Sequence, residues 1–131
     1  MESPQEQKAW REVKYRERFK NAFRGMYVVC KATRHIYIHI LSALAVMIFG
    51  FYFQVSALEW VALVFAIGLV FVAEAFNTAM EIDMDLTSPE YHPYARDTKD
   101  VAAAAVLFSV FTAAIVGLII FLPKVLKLLS S

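Results

Sequence analysis

The chain has 131 residues, 60% of them hydrophobic and 19% charged, and a formal net charge of +1. A soluble domain averages roughly half apolar, so this composition belongs to a membrane protein, and the near-neutral total gives no ground for a nucleic-acid partner. A single cysteine, Cys30, excludes an intrachain disulfide and a cysteine-based metal site.

Residues 1–35 form a basic amphipathic segment. Nine of the thirteen Lys and Arg lie there, against Glu2, Glu6, Glu12 and Glu17, a local balance near +5. Tyr15, Phe19, Ala22, Phe23, Met26 and Cys30 recur at spacings of three and four with charges between them, which predicts a helix lying on an anionic membrane surface. No short apolar region with a small-residue cleavage site precedes the first long apolar run, so that run is expected to stay in the protein.

Three apolar stretches follow, predicting spans at about 36–53, 57–85 and 98–122, with 123–131 as a short tail. The uncharged runs within them are roughly 26–33 Å long at about 1.5 Å per residue, against a hydrocarbon core of about 30 Å. Such spans satisfy their backbone hydrogen bonds only as helices. The fold class is therefore an all-α membrane protein, a surface helix followed by three transmembrane helices. Three helices enclose little polar volume, which makes an oligomer the expected state.

Orientation follows from the distribution of Lys and Arg. The N-terminal segment and the connection holding Arg96 and Lys99 carry eleven; the turn at 54–56 and the tail carry only Lys124 and Lys127. The N-terminus and the second connection are thus expected in the cytoplasm, in a multi-pass membrane protein. Within that connection, Ser88-Pro89 reads as a helix start, Pro93 as a terminator or kink, and Asp97 or Thr98 as the cap of the third span.

The chemistry is concentrated where the second span leaves the bilayer. At about 100° per residue, Glu74, Asn77, Glu81 and Asp85 fall along one helical stripe. Carboxylates near hydrocarbon cost on the order of a few kcal/mol each and mark functional sites by default. Glu74, nearest the hydrocarbon, suits a general base acting on a weakly acidic hydroxyl. Glu81 suits Mg²⁺, a hard cation that takes carboxylate and phosphate oxygens, and Asn77 suits phosphate or metal-bound water. The competing reading is hydrogen bonding between helices. Lys99-Asp100, at the start of the third span, combines a phosphate-binding cation with a carboxylate; a cap plus a topology-setting charge accounts for the pair equally well. His39 is expected to bond a neighbouring helix, and His92 to be solvated. No glycine-rich phosphate loop is present, so any use of ATP lies outside the P-loop and protein-kinase designs.

These blocks resemble the small integral-membrane prokaryotic diacylglycerol kinases, a family that includes undecaprenol kinases. Its pattern E-x-x-N-[ST]-[AS]-[IM]-E-x-x-x-D is matched by Glu74-Ala-Phe-Asn77-Thr78-Ala79-Met80-Glu81 and Asp85, and its A-K-D by Thr98-Lys99-Asp100 ahead of Val-Ala-Ala-Ala-Ala, over roughly residues 18–122. The resemblance implies a homotrimer with sites shared between subunits. It also implies transfer of the γ-phosphoryl group of ATP, with Mg²⁺, to the hydroxyl of diacylglycerol or undecaprenol. It makes Glu74 the base, Glu81 the metal ligand, and Asn77, Glu81, Asp85, Arg96, Lys99 and Asp100 the nucleotide-binding set. One stretch departs from the pattern: where relatives carry E-[RH]-N-x-R-I-H, this chain has Thr33-Arg34-His35-Ile36-Tyr37-Ile38-His39, with Thr33 for a metal- or nucleotide-binding glutamate and Tyr37 for arginine. That departure supports an alternative, a lipid phosphatase-like enzyme or an inactive membrane scaffold.

Overall fold

The structure is a computed structural model that describes residues 15–130. Helix α1, Tyr15–Ala32, forms a unit by itself. Tyr15, Phe19, Phe23, Met26 and Tyr27 stand exposed on it, interleaved with Arg18, Lys20, Arg24 and Lys31. The Arg18 guanidinium lies 5.6 Å from the centre of the Tyr15 ring, a cation–π contact. The first fourteen residues of the expected basic segment lie outside the described ones.

The second unit holds α2 (Ile36–Tyr52), α3 (Ala57–Thr87) and α4 (Pro93–Leu129). Among the described residues there is no strand. α3 and α4 are each long and apolar enough to cross a membrane, and α2 counts as a third span when taken together with the helix before it. The protein is an all-helical membrane protein.

The turn between α2 and α3 is tight. Gln54 takes a left-handed conformation at φ 49°, and Val55 N–H donates back to Gly50 O at 3.1 Å. Ser56 then starts α3 with a capping box: its Oγ accepts from Glu59 N–H, and Glu59 Oε2 accepts from Ser56 N–H at 2.7 Å. Two of the amide hydrogens that a helix start leaves unpaired are satisfied this way. Gly50 is required here by close packing, since a Cβ on it would lie 2.5 Å from the Trp60 ring.

The core of this end is Val55, Leu63 and Ile120, with Phe53, Trp60, Val116 and Phe121 against it. Lys124 Nζ donates to Glu59 Oε1 at 2.7 Å and ties α4 to the start of α3. Leu63 is the one large side chain that is fully buried among the described residues, while Phe65, Phe108 and Ile119 stand well exposed. In water such a surface would aggregate. In a bilayer it costs little, because lipid tails are as apolar as leucine.

The connection between α3 and α4 is organised differently from the sequence expectation. Ser88 begins no helix; it closes α3, its N–H donating to Met84 O at 2.9 Å. Pro93 does not terminate anything; it opens α4, and His92 caps that helix with Nδ1 accepting from Tyr94 N–H. Proline fits the first helical position because its missing N–H would go unpaired there anyway. Asp97 and Thr98 therefore lie inside α4, with the Thr98 hydroxyl donating to Tyr94 O at 2.8 Å.

Candidate active site

One face of α3 is buried along its length: Leu63, Ala66, Val70, Glu74 and Thr78, at helical spacing. The first three are apolar and pack the bundle. The same stripe then turns polar at Glu74, so the carboxylate is held inside the fold, 6% exposed. It has a partner: His39 of α2, whose Nε2 lies 2.6 Å from Glu74 Oε1. With Glu74 as the carboxylate anion, which only accepts, His39 is the donor through Nε2. One turn further along, the hydroxyls of Thr33 and Thr78 share a hydrogen bond of 2.7 Å. Thr33, standing in the departing stretch, thus faces α3 as a neutral group.

Past the buried stripe, Asn77 Nδ2 donates to Glu81 Oε1 at 3.0 Å. Asn77 Oδ1 is sealed from solvent and has no hydrogen-bond partner. Leaving a buried acceptor unpaired costs about 1–3 kcal/mol, which singles out Asn77 Oδ1 as an acceptor still unsatisfied within the chain. Asn77 also lines a groove of about 490 Å³ between α3 and α4, together with Phe76, Met80, Tyr94, Asp97 and Thr98.

The two long helices are bridged at this end by Lys99 Nζ, which donates to Asp85 Oδ1. Arg96 pairs along its own helix, with Asp97 Oδ1 at 3.4 Å and Asp100 Oδ2 at 4.0 Å. Asp100 is thereby turned toward solvent and makes no bond to the α3 stripe. Of the residues marked in the sequence, the structure joins Asn77 to Glu81, Asp85 to Lys99, and Arg96 to Asp100; Glu74 is joined to none of them. Among the described residues no cluster of three His, Cys, Asp or Glu side chains is placed to hold a metal on its own.

Two partners were not marked as site residues by the sequence. Thr78 carries only its match to the Ser/Thr position of the family pattern. His39 carries one: it is the only Lys, Arg, His, Asp or Glu of α2, and an ionisable group inside a span calls for a partner or a function. The sequence expectation that it bonds a neighbouring helix holds; that the bond goes to Glu74 needed three dimensions.

Residues 20–121 match the family model described as prokaryotic diacylglycerol kinase. The chain is 40% identical over 106 residues to an undecaprenol kinase of Bacillus subtilis, covering 81% of this chain and 86% of the relative. It is 34% identical over 112 residues to a diacylglycerol kinase of Synechocystis, covering 85% of this chain and 64% of that protein's length. A diacylglycerol kinase of Helicobacter pylori is 35% identical over 68 residues, 52% of this chain and 53% of the relative. The chain belongs to the prokaryotic diacylglycerol kinase family: it is a lipid kinase, a phosphotransferase for which ATP is the phosphate donor.

Proposed function

We propose that this lipid kinase phosphorylates undecaprenol at the cytoplasmic surface of the bacterial inner membrane, with Glu74 as general base. The observation that carries the mechanism is the placement of Glu74: buried, held by one hydrogen bond, and one turn from Asn77. A hydroxyl delivered from the lipid side meets this carboxylate before it meets water. Glu74 takes the hydroxyl proton as the oxygen attacks the γ-phosphorus of ATP, and ADP departs with the electron pair of the broken bond. The choice of polyprenol over diacylglycerol rests on the undecaprenol kinase relative, which is matched at higher identity and over more of its length than the diacylglycerol kinases above.

Residues 74–100 carry seven Asp and Glu against Arg96 and Lys99. A nucleotide triphosphate entering that field needs countercharge. Glu81 is a hard anionic oxygen donor held by Asn77 Nδ2, which fits Mg²⁺ held through one carboxylate plus substrate phosphates. Mg²⁺ there supplies charge neutralisation on the transferring group. Lys99 and Arg96 supply fixed positive charge for the phosphates once Asp85 and Asp100 exchange partners with them. Cytoplasmic orientation is supported by the eleven Lys and Arg on that side of the spans. The exposed apolar faces of α3 and α4 support assembly with further copies, and we take the functional unit to be a homotrimer that shares its sites.

The test is transfer of labelled γ-phosphate from ATP with Mg²⁺ in mixed micelles, offering undecaprenol and diacylglycerol side by side. Transfer to undecaprenol that disappears in Glu74→Gln is expected. Preferential transfer to diacylglycerol would overturn the substrate assignment, and an unchanged rate in Glu74→Gln would overturn the base. The neutral Thr33–Thr78 pair favours one competing reading, altered phosphoryl chemistry; release of phosphate from the lipid phosphate without ATP is its signature.

A further inference from the structure

We infer that His39 is a positioning residue for phosphoryl transfer: its Nε2–H holds Oε1 of Glu74 so that Oε2 alone is presented to the lipid hydroxyl. The inference rests on the reading of Glu74 as base. Three observations support it. First, His39 and Glu74 are both largely withdrawn from solvent, with side chains 16% and 8% exposed, at 2.6 Å. A pair this close on two different helices fixes the carboxylate's plane as well as its place, since a charge-assisted hydrogen bond is both short and directional.

Second, the two carboxylate oxygens are not equivalent. Oε1 accepts from His39. Oε2 takes no hydrogen bond from the described residues. Oε2 is therefore the oxygen left to accept a proton from an incoming group. Third, beyond the imidazole lies an apolar cavity of about 290 Å³ walled by Val46, Phe71, Val110, Ala114 and Gly117. Ser42 is its one polar side chain besides His39 and no charged side chain borders it, so the cavity offers His39 no second carboxylate.

A bond between helices that served stability alone would place the histidine against any convenient acceptor. Here the acceptor is the group proposed to take the proton. In the step itself, the lipid hydroxyl proton passes to Oε2, the alcohol oxygen forms its bond to the γ-phosphorus, and the bond to ADP breaks with its electron pair going to ADP. His39 keeps its own hydrogen on Nε2 throughout. The proton on Oε2 is handed to water after the lipid phosphate leaves.

The experiment compares His39→Leu, His39→Asn and His39→Gln, each with native Glu74 and with Glu74→Gln, in mixed micelles, measuring kcat, KM for ATP and thermal unfolding. Glutamine places an amide N–H where the imidazole Nε2 lies; asparagine is polar but too short to reach. We expect His39→Leu and His39→Asn to lose about 10–100-fold in kcat, the scale on which misorienting a general base acts, with KM for ATP within about twofold by the same argument of a transition-state-only loss. His39→Gln should recover most of that loss. On the Glu74→Gln background none of the three should lower the residual rate further, because His39 acts through Glu74. Full kcat in folded His39→Leu, a His39→Gln variant no better than His39→Asn, or a further loss on the Glu74→Gln background would each overturn the positioning role. A fully active Glu74→Gln would instead overturn the base itself, and the inference with it, so the two failures are told apart.

Discussion

Lys99 on α4 bonds Asp85 on α3, joining the ends of the two longest helices across fourteen residues of sequence. Neither side chain is buried, at 40% and 71% exposure, and exposed ion pairs contribute about 0–1 kcal/mol to stability. The bridge is thus weak as a fastener and easily opened. Lys99→Met should leave the unfolding temperature in detergent nearly unchanged. It should raise KM for ATP by about 10-fold or more, the loss of one hydrogen bond between a cation and a phosphate being worth about 1.5–3 kcal/mol. Steady-state kinetics against ATP, paired with a thermal melt, check both halves.

Glu81 has its Oε1 engaged by Asn77. Glu81→Gln keeps the shape and removes the charge. The Mg²⁺ concentration for half-maximal activity should rise by about 10-fold or more, since a carboxylate is the hard anionic ligand this ion prefers. A Mg²⁺ titration at saturating ATP reads the shift; an unmoved midpoint would remove Glu81 from the metal site.

At the opposite end of the bundle, Gly50→Ala drives a methyl group into the Trp60 ring. That ring also packs against Phe51 at a centroid distance of 4.9 Å, so it has little room to withdraw. Overpacking of this kind costs about 1–3 kcal/mol. The melt should move down while kcat per folded molecule stays constant, because Gly50 lies near the end of α2 against Trp60, at the opposite end of α3 from Glu74.

Ser56→Ala removes the hydroxyl half of the capping box at the start of α3. Caps of this type are worth about 1 kcal/mol. The variant should lose stability on that scale, with its kinetic constants intact, and circular-dichroism melts in micelles against the parent would show it.

The spans and the polar stripe could be read from the sequence because both are periodic. Apolar length is set by bilayer thickness, and the spacing of Glu74, Asn77, Glu81 and Asp85 is set by the helix. The connection was misread at Ser88 and Pro93, because both residues serve equally well at either edge of a turn. Which end of which helix they belong to depends on how far α3 continues, and nothing local to those residues decides it. His39–Glu74 was beyond sequence reach for a different reason: the partners are separated by thirty-five positions, and their meeting depends on how α2 leans on α3. Thr33–Thr78 is similar, with forty-five positions between the hydroxyls.

The capping box at Ser56 and the buried carboxylate at Glu74 belong to one uninterrupted helix. From Ala57 to Glu74 that helix rises about 26 Å at about 1.5 Å per residue, close to the thickness of a hydrocarbon core of about 30 Å. α3 is thus matched in length to a bilayer core, with the Ser56 turn at one end and Glu74, the proposed base, near the other. Thinning the bilayer lifts Glu74 toward the headgroups, and thickening it draws the carboxylate into oil. With Glu74 as the base proposed above, the lipid around the enzyme would set the height of that carboxylate, so a membrane's thickness belongs among this kinase's reaction conditions.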